Sequence, residues 1–484
     1  MSTKAFSTKA EQSSLAKLGQ RIALAGLVIY VIFAPHSVAA SAGGAVIAGL
    51  GWLVRTIATG RLGLRRSKFD LIIVLLLLWT VASSLLSEEP RISIAKIHAS
   101  WVVFLFYVTR AVLTRRSILP LIALLILSGC AGALYSAFDL MRGRGVVVES
   151  LATGSPFYQV GIQPGDTIWR LGKRRVYSVA DVDQALKETP ADTSVGIISR
   201  GEQVERPMII SGNSPAGIVG TERNHRFRAS GWTRHYDTFA ELLQMIAQLA
   251  LGLALAHLRN HGANRYFKIA IAAAALLTLG LVFTAMRTVI VAFVIAASVI
   301  AFRSLRATFK VVFTFALFFV LAFGAVVVWQ TRDRNALLLG DPSSSLRWQV
   351  ARVGLSRIPL HPIFGHGMDA MKLHWNEWGF PGKDMLHLHS TPLQLAFDRG
   401  LPMLALWLWL MIAFWLGVAR KERSFADLSD TNAYGILLGV LGALTGFLIS
   451  SLVNYNYGDA EVAMMLWFLM GTAVSTDYTD SASV

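Results

Sequence analysis

The sequence has a single cysteine, Cys130, and it lies in an apolar segment. A disulfide bond within the chain and a cluster of cysteine metal ligands are therefore both excluded. Two other metal-binding patterns are also missing, because the chain has neither an HExxH helix nor an aspartate-rich signature. The sequence consequently predicts no metal site and no cofactor.

Charged residues are scarce, at 15% of the chain against 54% hydrophobic residues. Apolar runs of about 20 residues recur, which is the length that crosses a bilayer as a helix. This composition predicts a polytopic α-helical membrane protein whose core is built among membrane lipids. Because these runs contain almost no charged residues at mid-span, they argue against a transporter, whose path ionisable groups usually line.

Basic residues outnumber acidic residues by 45 to 29, which gives a formal net charge of +16. A membrane protein accumulates lysine and arginine in its cytoplasmic connections, so we expect no nucleic-acid partner. The basic N-terminus, with Lys4, Lys9, Lys17 and Arg21, leads into a second apolar stretch without a convincing cleavage site. The first helix is therefore expected to remain as an anchor.

The apolar runs predict about twelve transmembrane helices. Their expected limits are 21 to 38, 39 to 56, 70 to 87, 97 to 114, 117 to 139, 237 to 257, 267 to 285, 288 to 303, 311 to 330, 401 to 419, 433 to 453 and 459 to 476.

Clusters of basic residues follow every second predicted helix and begin near Arg55, Arg110, Arg259, Arg303 and Arg420. By the positive-inside rule, these connections and both termini are cytoplasmic. The two long polar segments, 141 to 236 and 331 to 400, then face outward. In a bacterium this predicts an inner-membrane protein whose polar segments lie in the periplasm.

The first polar segment has the pattern of a small α+β domain. Short β-type runs (RGVVVES, TIWRL, SVGIISR, RPMIIS) surround the helix VADVDQALKE, which Ser178 and Asp181 cap. The SP-x4-GIQPGD core and the later RG pair resemble a bacterial PDZ domain. This resemblance implies that a peptide of a periplasmic protein adds a strand beside Gly145 and Val146. The alternative is a rigid spacer that binds nothing.

Several short motifs follow in the second half of the chain: HRFRASGW, LVFTAMRT, SSSLRWQVA, HPIFGHGMD and HLHSTPLQLAFDRGL. In this order they resemble the O-antigen ligase family, which also contains O-antigen polymerases and protein O-oligosaccharyltransferases of the GT-C type. The resemblance covers the membrane frame from about residue 220 onward, and the first five helices match only in number. Met286 and Ser390 depart from the family, which often has serine and asparagine there.

These patterns divide the chain into three predicted parts. Residues 1 to 140 form an N-terminal bundle of about five helices, and 141 to 213 form the PDZ-like domain. Residues 214 to 484 form a ligase-like transmembrane domain with a periplasmic catalytic loop at 331 to 400.

The resemblance implies a donor glycan on undecaprenyl diphosphate, whose charged leaving group is stabilised by fixed cations. Arg287 and Arg347 match the family's phosphate-contacting arginines, and Arg228 of the RASG motif is a third candidate. Arginine suits this task because it keeps its proton. The alternative is that an arginine near a helix end extends to the interface without binding substrate.

The acceptor is a sugar hydroxyl, and histidine can accept its proton or orient it near neutral pH. His389 matches the family's site histidine, and His387 precedes it by two residues. Asp398 supports the site or, as the favoured interpretation, pairs with Arg399. His361 and His366 are expected to serve the backbone turn of HPIFGHG.

Two further interpretations remain open. The four histidines between 361 and 389 permit a metal site, but a transfer in which arginines neutralise the diphosphate needs no metal, so we favour a metal-independent reaction. Trp375 and Trp378 either stack on sugar rings or, as we favour, lie in an aromatic belt at the membrane interface.

The sequence thus predicts a glycosyltransferase of polysaccharide biosynthesis. The simplest version ligates O-antigen to the lipid A core of lipopolysaccharide. One alternative is an O-antigen or exopolysaccharide polymerase, and another is a protein O-oligosaccharyltransferase. An alternative of another class is a non-catalytic membrane scaffold that recruits periplasmic proteins through the PDZ-like domain.

Overall fold

The structure is a computed structural model. It describes residues 2–64, 66–188, 190, 192–199, 202–209, 216–220, 223–305, 322, 326, 342–382, 387–426 and 430–476.

The chain begins with a tight helical hairpin of α1 (Ser2–Phe33) and α2 (Val38–Thr59). Ser37 ends the turn between them by accepting a hydrogen bond from Ala40 N, as an N-cap residue does. Glycines let the two backbones touch: a Cβ added to Gly44 would lie 2.5 Å from Tyr30 N. Small residues at such a crossing are the usual basis of close helix packing in membranes.

Four helices complete the first half: α3 (Asp70–Leu86), α4 (Pro90–Lys96), α5 (Phe104–Val112) and α6 (Arg115–Arg142). A 3₁₀ stretch, Ile97–Val103, joins α4 to α5, so one apolar span runs from Pro90 to Val112. The predicted span at 97 to 114 therefore begins earlier, with Pro at the first position of a helix, where its missing N–H costs nothing.

The polar segment that follows is a small α+β unit with its own apolar core. Its elements are β1 (Val146–Val147), β2 (Ser150–Leu151), α7 (Pro156–Gln159), β3 (Thr167–Leu171), β4 (Arg174–Arg175), α8 (Val179–Glu188), β5 (Asp192–Ser199), β6 (Glu202–Ile209) and β7 (Ile218–Val219). One sheet has the order β1-β3-β5-β6 with β4 beside β3, and β2 pairs with β7. The unit extends past the predicted end at 213, because β7 supplies the partner of β2.

The expected peptide site beside Gly145 and Val146 stays a prediction. On one side, β1 pairs antiparallel with β3, with Val146 opposite Ile168. On the other side, Arg144 and Asn224 exchange two backbone hydrogen bonds of 2.8 and 3.0 Å, and Glu149 N donates to Val219 O at 2.8 Å. Segments of the same chain thus flank this stretch on both sides.

The second half contains eight helices in the described residues. They are α9 (Tyr236–His261), α10 (Arg265–Phe283), α11 (Arg287–Ser304), α12 (Pro342–Arg357), α13 (Ala370–Leu373), α14 (Thr391–Ala426), α15 (Thr431–Ser451) and α16 (Ala460–Ser475). The apolar, membrane-length part of α9 is 100% buried, so this helix lies at the centre of the bundle. It meets α15 through glycines, since a Cβ on Gly252 would lie 2.4 Å from Gly439 N.

The prediction of a polytopic helical membrane protein is confirmed. Of the described helices, 9 are long and apolar enough to cross a membrane, and Asp70–Leu86 and Ala460–Ser475 are shorter apolar helices. The predicted span at 311 to 330 lies outside the described residues, so the count of about twelve stays a prediction.

The two ends of the bundle differ in chemistry. At one end, ion pairs join the helix connections that the sequence predicts to be cytoplasmic: Arg110 with Asp70 at 2.5 Å, Arg115 with Asp430 at 2.6 Å, and Arg303 with Glu422 at 2.6 Å. At the opposite end, the connections after α3 and α15 meet the polar stretch 361 to 391.

The α1–α2 crossing gives a matched pair of variants. Gly44→Ala places a methyl group against backbone and should lower stability by about 1–3 kcal/mol through overpacking. Gly43→Ala meets nothing within 4 Å and should be neutral or slightly stabilising, because alanine favours helix. Thermal unfolding of the purified protein in detergent measures both. Equal melting temperatures for the two variants would contradict this packing.

Candidate active site

A polar cavity of about 630 Å³ opens at the end of the bundle that carries the 361 to 391 stretch. Six parts of the chain surround it: Leu76 of α3, the stretch 96 to 103, the start of α9, Arg347 of α12, the stretch 368 to 399, and the stretch 454 to 463. The first half of the chain thus supplies one wall of a site that the sequence placed wholly in the second half.

His387 and His389 both line this cavity. Leu388 between them is 1% exposed, and its N–H donates to Gln394 Oε1 at 2.7 Å. This anchor turns the two flanking imidazoles toward the cavity, with ring centroids 4.2 Å apart. His389 has a φ of +53°, in the left-handed region that costs a side-chain-bearing residue of order 1 kcal/mol and recurs at functional sites.

The first turn of α14 holds this histidine segment in place. Thr391 N donates to Asn454 O at 3.1 Å, and Thr391 Oγ1 lies 3.0 Å from Asn456 Oδ1. The α15–α16 connection therefore fixes the helix start that immediately follows His389.

Burial is the main cause that lowers the pKa of His389, to about 3, and the positive charge of a protonated His387 and of Arg347 adds to it. The pKa of His387 is also lowered by burial, against an opposing effect of Asp237. Within the described part of the chain, His389 Nε2 and His387 Nδ1 have no hydrogen-bond partner. His389 is thus a neutral imidazole near pH 7, able to accept or donate a hydrogen bond.

Several cationic side chains line the cavity. Arg347, from α12, lines it, and its Nε has no hydrogen-bond partner among the residues that the structure describes. Lys96 and Lys372 line it as well and hold Asp369 between them at 2.6 and 2.9 Å. Burial acts to raise the pKa of Asp369, but the hydrogen bonds from the two lysines outweigh it and lower the pKa.

Carboxyl groups gather near the start of α9 and of α16. Asp237 and Asp459 line the cavity there, and Thr238 donates a short hydrogen bond to Asp459. Burial, reinforced by the charge of Glu461, raises the pKa of Asp459. The cavity therefore contains both cationic side chains and carboxyl groups that can form hydrogen bonds with hydroxyl groups.

Arg287 and Arg228 are not among the lining residues of the cavity. Arg287 begins α11 after a turn in which Ala285 has a φ of +51°, and the neighbouring Thr288 accepts a hydrogen bond from Asn454 of the cavity wall at 3.2 Å. The Arg228 guanidinium lies 4.3 Å from the ring centroid of Tyr236. Both arginines are thus placed beside cavity-forming segments rather than on the cavity surface.

Two expectations from the sequence need correction: the ion pair between Asp398 and Arg399, and the exposed positions of Trp375 and Trp378. Asp398 lines the cavity, but its carboxylate accepts a hydrogen bond from Gln394 Nε2 at 2.8 Å, and the described contacts contain no ion pair with Arg399. Trp375 and Trp378 are 5% and 7% exposed, so they form neither an interfacial belt nor a platform for sugars. They pack in a small apolar core that supports the 361 to 391 stretch.

Sequence reasoning missed Lys96, Lys372, Arg399, Asp237 and Asp459. Lys96 lies in the half of the chain where no motif was found, and Asp237 and Asp459 stand at helix starts, where a carboxylate is ordinarily explained by the helix dipole. A signal was nevertheless present, because four of these charges stand at or next to predicted span limits on the outward side, and Lys372 lies in the predicted outward segment 331 to 400.

Comparison with known proteins finds a family that matches the motif-bearing segment. Residues 272–408 match the family described as O-Antigen ligase. This segment contains Arg287, Arg347, His387 and His389, whereas Arg228 and the small α+β unit lie outside it. A stretch of 61 residues is 34% identical to a probable periplasmic serine endoprotease DegP-like from Chlamydia muridarum, over 13% of this chain. The chain covers only 12% of the length of that protein.

The neutral state of His389 gives a pH prediction. Diethyl pyrocarbonate modifies neutral imidazole, so a histidine with an ordinary pKa loses reactivity roughly 20-fold between pH 7 and pH 5. His389, with a pKa of about 3, should react equally fast at both values. Mass spectrometry of the peptide that contains His389 measures the rate, and His389→Gln identifies its signal. A decline in parallel with the exposed histidines would contradict a neutral His389.

Proposed function

We propose that the chain is a membrane glycosyltransferase that transfers a glycan from a polyprenyl diphosphate carrier to an acceptor hydroxyl at the periplasmic face of a bacterial inner membrane. One observation carries the proposal: the segment that matches the O-antigen ligase family also supplies Arg347, His387 and His389 to a single polar cavity. Lys96, from the first half of the chain, adds a further cation to the same cavity.

The cationic side chains of the cavity suit a diphosphate. A leaving diphosphate carries about two negative charges, and fixed cations stabilise its departure. Arginine is suited to this role because its planar guanidinium matches phosphate geometry, and Arg347 Nε has no hydrogen-bond partner among the described residues. Arg287 and Arg228, from segments beside the cavity, are further candidate phosphate ligands.

An apolar groove suits the polyprenyl chain. It has a volume of about 490 Å³ and lies between α3 and α14, on the membrane-facing side. Leu75, Leu78, Trp79, Pro402 and Leu406 are among its lining residues. Trp79 Nε1 donates to the carbonyl of Arg399, a cavity residue, at 2.9 Å, so the groove ends beside the polar cavity.

The transfer requires few protein groups. The acceptor oxygen attacks the anomeric carbon, its proton passes to His389 or to solvent, and the bond between the anomeric carbon and the phosphate oxygen breaks. A histidine with a pKa of about 3 is a weak base. A bound diphosphate adds negative charge beside it and raises that pKa, so His389 becomes a competent base only when the donor is present.

Three kinds of acceptor are compatible with the proposed transfer. The simplest acceptor is the lipid A core, which makes the protein an O-antigen ligase. A second lipid-linked repeat makes it a polymerase, and a protein serine or threonine makes it an oligosaccharyltransferase. The small α+β unit resembles a PDZ domain, and a stretch of the chain is similar to a DegP-like protein. Both likenesses favour a protein partner for this unit.

Loss of His389 tests the transferase assignment. Cells that lack the native protein and express the His389→Ala variant should transfer glycan about 100-fold more slowly or worse, the range expected for a missing acid–base group. The measurements are a gel of lipopolysaccharide and an extract of lipid-linked glycans. Accumulated long glycan on its carrier indicates the ligase, and accumulated single repeats indicate the polymerase.

The control for this experiment is His225→Ala. His225 is exposed, contacts the carbonyl of Leu140 and does not line the cavity. It should complement fully at equal protein level. Full complementation by His389→Ala would contradict the catalytic role.

Excision of the small unit separates the transferase from the scaffold. Because Arg144 and Asn224 are hydrogen-bonded neighbours, residues 145 to 223 can be replaced by a short Gly-Ser linker without moving α6 or α9. A transferase should then retain glycan transfer, with any change confined to acceptor choice. A scaffold should lose all function on excision and keep it in His389→Ala.

A further inference from the structure

A second group of ionisable residues lies outside the reaction cavity. Glu88, from the connection after α3, meets His361 and His366 of the HPIFGHG turn. Glu88 Oε2 lies 2.5 Å from His366 Nδ1 and 3.5 Å from His361 Nε2, and all three ligand atoms lie within 4.8 Å of one another. None of the three residues lines the cavity.

The hydrogen bonds of His366 place the lone pair of its Nδ1 beside a carboxylate oxygen. Its Nε2 lies 3.1 Å from the carbonyl of Arg357, which can only accept, so Nε2 carries a proton. In the neutral ring, Nδ1 then presents a lone pair to the carboxylate of Glu88 at 2.5 Å. Two lone pairs at this distance repel each other unless a cation lies between them, either a proton or a metal ion.

The surroundings of His366 favour the metal. Metal-binding histidines commonly donate their second ring N–H to a backbone carbonyl, which fixes the ring orientation, and His366 does this with Arg357. The ring is 1% exposed and is stacked on Phe397 with centroids 4.5 Å apart, so it cannot turn away. His361 is 42% exposed and leaves the fourth direction open to water.

We propose that Glu88, His361 and His366 bind one divalent transition-metal ion, with Zn²⁺ the best fit. Two imidazoles and a carboxylate with an open position form a known zinc ligand set. Zinc–ligand bonds of about 2.0–2.1 Å at tetrahedral angles place ligand atoms about 3.3 Å apart. The 3.5 Å distance from Glu88 to His361 is already near that value, whereas the 2.5 Å distance from Glu88 to His366 must lengthen by about 0.8 Å as the ion replaces the proton.

The ion would act on structure rather than in the reaction. The backbone of Glu89 already donates to His366 O at 3.1 Å, which links the connection after α3 to the turn. The same turn donates from His366 N to Phe397 O at 2.8 Å and from Gly367 N to Asp398 O at 2.9 Å. A bound ion would therefore join the two halves of the chain beside the segment that carries Asp398 into the cavity.

The sequence does not reveal the complete ligand set. His361 and His366 come from one turn at a short spacing, but the third ligand, Glu88, comes from a distant connection in the first half of the chain. The prediction that the transfer itself needs no metal is unaffected, because the group lies outside the cavity.

The test uses the full-length protein, purified in detergent and stripped with a chelator. Co²⁺ titration should give visible absorption bands typical of a tetrahedral site, saturating at one ion per chain, and Zn²⁺ should displace it. Zn²⁺ should also raise the melting temperature. Glu88→Gln and His361→Gln should each weaken binding about tenfold or more; both side chains are partly exposed, so the variants should fold.

Glu89→Gln and His374→Gln are matched controls. His374 also lies beside carboxylates, but its two nitrogens face different ones, Glu377 at 2.6 Å and Glu89 at 2.8 Å, so these groups cannot converge on one ion. Both controls should bind Co²⁺ as the wild type does. Absence of saturable binding, or equal binding in all variants, would overturn the proposal and leave a proton between His366 and Glu88. Neither result bears on the glycan transfer, which His389→Ala tests separately.

Discussion

A buried carboxylate network at the centre of the bundle determines how the candidate active site is assembled. Glu241, on the central helix α9, accepts hydrogen bonds from Ser450 at 2.9 Å and from Asn454 and Asn456 at 3.4 Å each. Asn456 also lies 3.0 Å from the hydroxyl of Thr391, two residues after His389. A charged or polar group inside an apolar bundle is costly unless it is bonded, so these partners fix one arrangement of α9, α14 and α15.

The electrostatics of the cavity follow from this arrangement. Arg347, Lys96 and Lys372 line it together with Asp237 and Asp459. Burial is the main cause that lowers the pKa of His389, and the charges of His387 and Arg347 add to it. In the proposed reaction, an anionic donor would offset these positive charges and raise the basicity of His389, so donor binding and proton acceptance would be coupled.

The sequence predicted the membrane helices and the family motifs because both are local patterns. Apolar runs predict where the helices lie but not all of their ends, since α14 begins at Thr391 rather than at 401. The HLHST motif led to His389, which lines the cavity. Contacts between distant segments were not predictable in the same way. The burial of Trp375 and Trp378 depends on packing against Phe380 and Phe397, and the pairing of β2 with β7 depends on a strand beyond the predicted end of the small unit. Lys96 enters the site only because the 3₁₀ stretch after α4 folds over the cavity.

The central claim is that this cavity releases a polyprenyl diphosphate as it forms a glycosidic bond. The direct measurement reconstitutes the purified protein in liposomes with a polyprenyl diphosphate-linked glycan and then adds lipid A core, a second lipid-linked repeat or an acceptor protein in separate samples. We expect one acceptor to trigger release of free polyprenyl diphosphate in amounts equal to the product. We also expect Arg347→Ala to slow this release. Product formation without released diphosphate, or no dependence on Arg347, would contradict it.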